Sequence, residues 1–138
     1  MAGHKENTRP TTLDQRRARH AWEAVRRVAD RGEAGDTYGR EAKRLPVRIM
    51  QAGLGHSLAF LRAKGGEGNT ALLKDLADWI LWKRGTADGS GARPRDDALI
   101  KAIVEGDADF LRWATEETMA YLQWLNRFAE AELKTDED

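Results

Sequence analysis

Apolar residues recur every three or four positions through most of this chain, and nowhere do they alternate with polar ones over the length of a strand. That spacing predicts helices and no sheet. The fold class expected is therefore all-α: a compact single-domain bundle of about five to six helices. Three glycine-rich breaks, Gly32–Gly35, Gly65–Gly68 and Gly85–Gly91, punctuate the helical segments. Thr12 or Asp14 is placed to cap a first helix reaching about Arg31, with Ala18, Ala21, Trp22, Val25, Val28 and Ala29 on its apolar face. On this reading Arg16, His20, Glu23 and Arg27 face solvent or a ligand. A short helix is expected over Thr37–Arg44. Pro46 suits the first turn of the next helix, where its missing N–H costs nothing. That helix runs to about Lys64, with Val47, Met50, Leu54, Leu58 and Leu61 toward the core. Further helices are expected over Thr70–Arg84, Arg95–Glu105, and from an Asp107 or Asp109 cap to about Leu133. Residues 1–11 and 134–138 are expected to lie outside the bundle as disordered segments, leaving 12–133 as the domain.

A chain of 138 residues without cysteine fits one domain that needs no disulfide and offers no thiol nucleophile or thiolate metal site. It suits a reducing cytoplasm, and no apolar run is long enough to span a membrane. The formal charge is zero, but the distribution is not even. Met1–Lys64 carries 14 basic against 7 acidic residues, and Gly65–Asp138 carries 9 against 16. If the halves stay separate in space, the basic one suits phosphate and the acidic one a basic protein, including another copy of the chain. The competing outcome is that the two halves mix on folding.

Residues that carry chemistry are sparse. His4, His20 and His56 are far apart and lack paired ligand spacing. His20 and His56 read as surface histidines. Ser57 and Ser90 lack a nucleophile context, and no phosphate-binding glycine loop is present. Asp96-Asp97 and Glu116-Glu117 read as helix-start charges or solvated faces, because adjacent helical residues point about 100° apart. No catalytic residue, metal or cofactor is assigned. Arg48, Ala52, Gly55, Ala59 and Arg62 form a small-residue strip suited to close approach by a neighbouring helix, or by an RNA backbone or another subunit. The five tryptophans fit packing better than base stacking.

Two stretches are specific taken together: Leu45–Lys64 (LPVRIMQAGLGHSLAFLRAK) and Ala114–Leu133 (ATEETMAYLQWLNRFAEAEL). Both resemble the small subunit of the Cmr-type (type III-B) CRISPR RNA-guided effector complex, as does the early segment Asp14–Ala18. The likeness runs from about Leu13 to Leu133. It implies a non-catalytic helical bundle, stacked in several copies as a filament beside the backbone and large subunits. It also implies a channel holding guide RNA and target RNA by shape and phosphate, for antiviral defence. Carried onto this chain, it points to Arg16, Arg17, Lys43, Arg44, Arg48 and Lys64 as RNA-binding residues. Arg27, which shares the outer face of the first helix, joins them if the basic residues cluster in space. Lys43, Arg44 and Arg48 are expected outside the core. A helical protein-binding adapter without nucleic-acid contact is the alternative.

Overall fold

A computed structural model describes residues 10–85 and 91–133. The centre of the third glycine-rich break, most of the expected N-terminal segment with His4, and the acidic tail lie outside these. Among the described residues six α-helices form: α1 (Leu13–Val28), α2 (Glu33–Ala52), α3 (Leu54–Lys64), α4 (Glu67–Asp78), α5 (Ala98–Glu105) and α6 (Ala108–Glu132). No described residue is in a strand, and no helix of the described residues is long and apolar enough to cross a membrane.

Thr12, rather than Asp14, caps α1. Its hydroxyl accepts from Gln15 N–H at 2.9 Å, and the Gln15 side chain accepts from Thr12 N–H at 2.8 Å, which pairs two otherwise orphaned donors. Asp107, rather than Asp109, caps α6 through the Phe110 N–H at 2.8 Å. Helix α1 packs along α6. Helix α2 touches α3, α4 and α6, so it is the central element. The core between them holds Tyr38, Leu45, Leu54, Leu58, Leu61, Leu72, Leu76, Trp79, Tyr121, Leu122 and Leu125.

The main difference from the sequence reading lies at Pro46. The chain does not end one helix at Arg44 and start another at the proline. It runs as a single helix from Glu33 to Ala52 with Pro46 inside it. A proline there removes one ladder bond and leaves the carbonyl of Ala42 without its partner. Asn126 of α6 donates its side-chain Nδ2 to that carbonyl at 3.0 Å, so the buried oxygen is satisfied from a neighbouring helix. The helix stops instead at Gly53, whose φ of 92° is open to glycine alone among the common residues. Moving the break by seven residues changes which side chains face inward. Val47 and Met50, expected in the core, are 56% and 77% exposed, whereas Leu54, Leu58 and Leu61 are buried as expected.

Replacing Asn126 with Leu is expected to leave Ala42 O unpaired and lower stability by about 1–2 kcal/mol. In a Pro46→Ala background the restored N–H serves that carbonyl, so the same Asn126→Leu change is expected to cost less. Urea unfolding of the two single mutants and the double mutant measures this coupling, and equal costs in both backgrounds would refute the assignment.

Helix α4 continues into a π-helical turn, Trp79–Lys83, where Arg84 N–H donates to Trp79 O at 2.9 Å. The Arg16 guanidinium closes this end by donating to the carbonyls of Lys83 (2.6 Å) and Arg84 (2.9 Å). Close approach sets one glycine: a Cβ on Gly68 of α4 would sit 2.6 Å from Ala34 O and 2.8 Å from Thr37 Cβ of α2. Within the small-residue strip, Gly55 faces Ile103 of α5, so at that point its neighbour is a helix of the same domain.

Candidate nucleic-acid interface

Four of the seven basic residues singled out from the sequence lie in one region, on α2 and the end of α3. Glu41, Arg44 and Arg48 are spaced three and four residues apart and so share a face of α2. The turn at Gly53 folds α3 back so that Lys64 arrives beside them. Glu41 itself is buried. Its carboxylate accepts from Arg48 at 2.7 Å and from Lys64 at 2.8 Å, with Arg44 at 3.8 Å. Burial alone would raise the pKa of Glu41. The hydrogen bonds from Lys64 and Arg48 outweigh it and hold the carboxyl below its ordinary value. Phe60 lies between the cations, its ring centre 4.4 Å from the Arg48 guanidinium and 5.4 Å from Lys64 Nζ. Lys43 and Arg44 are exposed. Arg48 lies outside the core as expected, but its side chain is three-quarters covered and anchored on Glu41. One buried carboxylate thus faces three cations, Arg48 and Lys64 through hydrogen bonds and Arg44 at longer range, so the cluster carries excess positive charge suited to a phosphate chain. Lys43, two residues from Glu41, points off that face.

The α1 residues stand elsewhere. Arg16 caps the π turn. Arg17 forms a two-pronged bond to Glu117 of α6 at 2.6 and 2.9 Å and is 16% exposed, with its pKa pushed up by that contact. Arg27 reaches Asp75 of α4 at 3.2 Å and remains half exposed. None of the three shares a recorded contact with the Glu41 cluster.

Two polar residues read as solvated are buried. Glu117 is 4% exposed and accepts hydrogen bonds from Arg17, Arg84 and the Trp79 indole. His20 lies between Asp78 Oδ2 at 2.7 Å and the Tyr121 hydroxyl at 2.6 Å. A carboxylate only accepts, so Nε2–H donates to Asp78, and Nδ1 pairs with the Tyr121 hydroxyl, which can accept or donate there. The signal was present in the spacing: His20 lies four residues before Ala24, and Glu117 four before Tyr121, both on apolar stripes. Spacing alone gives no partner for them, because each partner lies on another helix. His56, by contrast, is exposed as expected, and among the described residues no three His, Asp or Glu side chains could hold a metal ion.

The two charge halves meet inside the fold. Arg17–Glu117, Arg27–Asp75, Arg31–Glu67 and Arg62–Asp96 each join a residue of the basic half to one of the acidic half. At these positions the outcome is mixing of the two halves.

The family described as CRISPR-associated protein (Cas_Cmr5) matches residues 13–132. A protein of Thermus thermophilus named CRISPR system Cmr subunit Cmr5 is 34% identical over 122 residues, covering 87% of this chain and 95% of the relative. The crystal structure of a CRISPR-associated Cmr5 family protein from the same organism superimposes with a TM-score of 0.73 at 34% identity, over 91% of this chain and 100% of that one. The helical architecture and the matched span agree, and the chain belongs to the Cmr5 family, the subunit family of the type III-B CRISPR Cmr complex.

Proposed function

We propose that this chain is a non-catalytic structural subunit of the Cmr complex, and that it holds the phosphate backbone of a guide RNA–target RNA duplex. Lys43, Arg44, Arg48 and Lys64 are the residues assigned to that contact. The observation that carries the reading is the convergence of Arg44, Arg48 and Lys64 around buried Glu41, which turns flexible cations into a preset group. Such a surface reads charge and spacing, not sequence, as suits a complex in which base pairing supplies specificity. Copies of the chain stack along the guide beside the backbone and large subunits, in the cytoplasm. Arg16, Arg17 and Arg27 serve chiefly to hold α1 against α6 and α4, and any RNA contact they make is secondary. The adapter reading is favoured by one feature, the exposed apolar pair Val47 and Met50.

The test is charge reversal in the assembled complex. Lys43→Glu with Arg44→Glu is expected to weaken target-RNA retention regardless of RNA sequence. It should also lower the salt slope of binding by roughly 1.4–1.8, about 0.7–0.9 for each lost phosphate contact. Arg48 is left in place, because a second carboxylate beside Glu41 would disturb the fold. The control reverses Glu116 and Glu130, both exposed on α6. Equal retention by the two double mutants at physiological salt would favour the adapter.

A further inference from the structure

An open cleft of about 490 Å³ lies between the start of α2 and the start of α4, edged by Arg31, Arg40 and Lys64. Its floor includes the first turn of α4. The N-cap there is Gly66, at φ 89°, and no side chain caps the helix, so the N–H groups of Glu67, Gly68 and Asn69 have no capping acceptor. Asn69 lines the same cleft and is 3% exposed. Its Nδ2 donates to Gly65 O at 2.8 Å, which fixes the orientation of the amide. Its Oδ1 is buried without a hydrogen-bond partner. A polar atom so placed wants a donor.

These two features ask for different things from one ligand. The uncapped N–H groups want an anion. Asn69 Oδ1 wants a hydroxyl or N–H. A phosphate diester supplies only acceptors, so it satisfies the first and not the second. A ribonucleotide supplies both, through its phosphate and its 2′-hydroxyl. We propose that the cleft takes one nucleotide of an A-form RNA backbone, with the phosphate at the α4 N-terminus and the 2′-hydroxyl donating to Asn69 Oδ1. This deepens the RNA-holding reading and rests on it.

The charges show what the cleft contributes. Glu33, Glu41 and Glu67 line it along with the three cations. Glu67 is paired with Arg31, and Glu41 with Lys64 and Arg48. The lining is formally balanced, so the cleft adds little long-range attraction; that comes from Lys43 and Arg44. Its contribution is discrimination of ribose from deoxyribose, the distinction that a 2′-hydroxyl contact provides. Oδ1 is recessed, so the cleft must open further for the hydroxyl to reach it.

The experiment compares target RNA with the same strand carrying 2′-fluoro groups, which keep A-form geometry and cannot donate a hydrogen bond. In the assembled complex the native subunit is expected to retain the 2′-hydroxyl strand about three- to tenfold better. With Asn69→Leu that preference should shrink while the salt slope is unchanged. A preference of equal size in both overturns the proposal. A second measurement needs no variant: nuclear magnetic resonance of the full chain with a short RNA duplex at low salt. The Asn69 side-chain amide is expected to shift with the hydroxyl duplex and not with the fluoro duplex. Shifts at Lys43 and Arg44 with an Asn69 amide that responds identically to both duplexes would sink the ribose contact alone. No response at any residue, together with an inert Lys43/Arg44 reversal, would sink the RNA reading with it.

Discussion

Glu117→Ala is expected to lower the unfolding free energy by about 3–5 kcal/mol, the cost of removing one partner from a buried ion pair. The carboxylate is 4% exposed and accepts from three groups: Arg17 on α1, Trp79 in the π turn and Arg84 just beyond it. Its loss leaves the Arg17 guanidinium, itself 16% exposed, with Asp14 as its remaining carboxylate, and strands an indole N–H that cannot reach water. It also unties α1 and the π turn from α6 at once. Urea unfolding followed by circular dichroism measures the effect, and a loss under about 1 kcal/mol would mean that the three donors find other acceptors. The same group sets a pH dependence. Burial raises the pKa of Glu117, but the hydrogen bonds from Arg17, Trp79 and Arg84 outweigh it and bring it below the ordinary value. Glu41 and Asp78 are lowered in the same way, burial again being overcome by hydrogen bonds, from Lys64 and Arg48 in one case and His20 in the other. A carboxyl whose pKa is lower folded than unfolded adds stability above its unfolded value, about 4, and loses it as the pH falls toward the folded value. Acid unfolding should therefore steepen below about pH 4, and Glu117→Gln should show a shallower acid limb. An unchanged limb would remove Glu117 from that account.

Trp79→Ala is the second large effect, about 3–5 kcal/mol. The indole is 2% exposed and stacks nearly parallel to Tyr121, with ring centres 5.8 Å apart and planes 13° from parallel. It also touches His20 at 5.4 Å between ring centres. Truncation opens a cavity among α1, α6 and the π turn and removes one donor from Glu117. Trp79→Phe should recover much of the packing but not the hydrogen bond, and so fall between the two. If phenylalanine proved as costly as alanine, the hydrogen bond rather than the ring would dominate. Far-ultraviolet circular dichroism should remain helical in both variants under conditions where they fold.

Elements set by neighbours along the chain were readable in the sequence, and those set across the fold were not. Helix α1, the α6 cap region and the core positions of α3 were legible because each depends on local spacing and on caps three residues apart. Pro46 was misread for a physical reason. Locally, a proline is best placed at a helix start, and only the Asn126 amide, far along the chain on α6, makes it tolerable inside α2. The exposure of Val47 and Met50 followed from that single error, since a displaced helix break changes which positions face inward. Of the candidate site, the cations at Lys43, Arg44, Arg48 and Lys64 were visible as residues, and Glu41, which gathers the last three, was not.

The sequence by itself determined the all-helical class, the approximate number of helices, the apolar faces and, through two motif helices, the family. These rest on interactions within a few residues or on patterns held along one segment. Only the tertiary structure decided that the basic and acidic halves pair with each other, that Glu117 and His20 lie inside, and that Asn69 is left with an unmet acceptor at a helix start. The first two are set by partners elsewhere in the fold, and the third by the lack of one. Burial and charge compensation depend on distance in space, and helical spacing along one segment does not report which neighbour the packed bundle will supply.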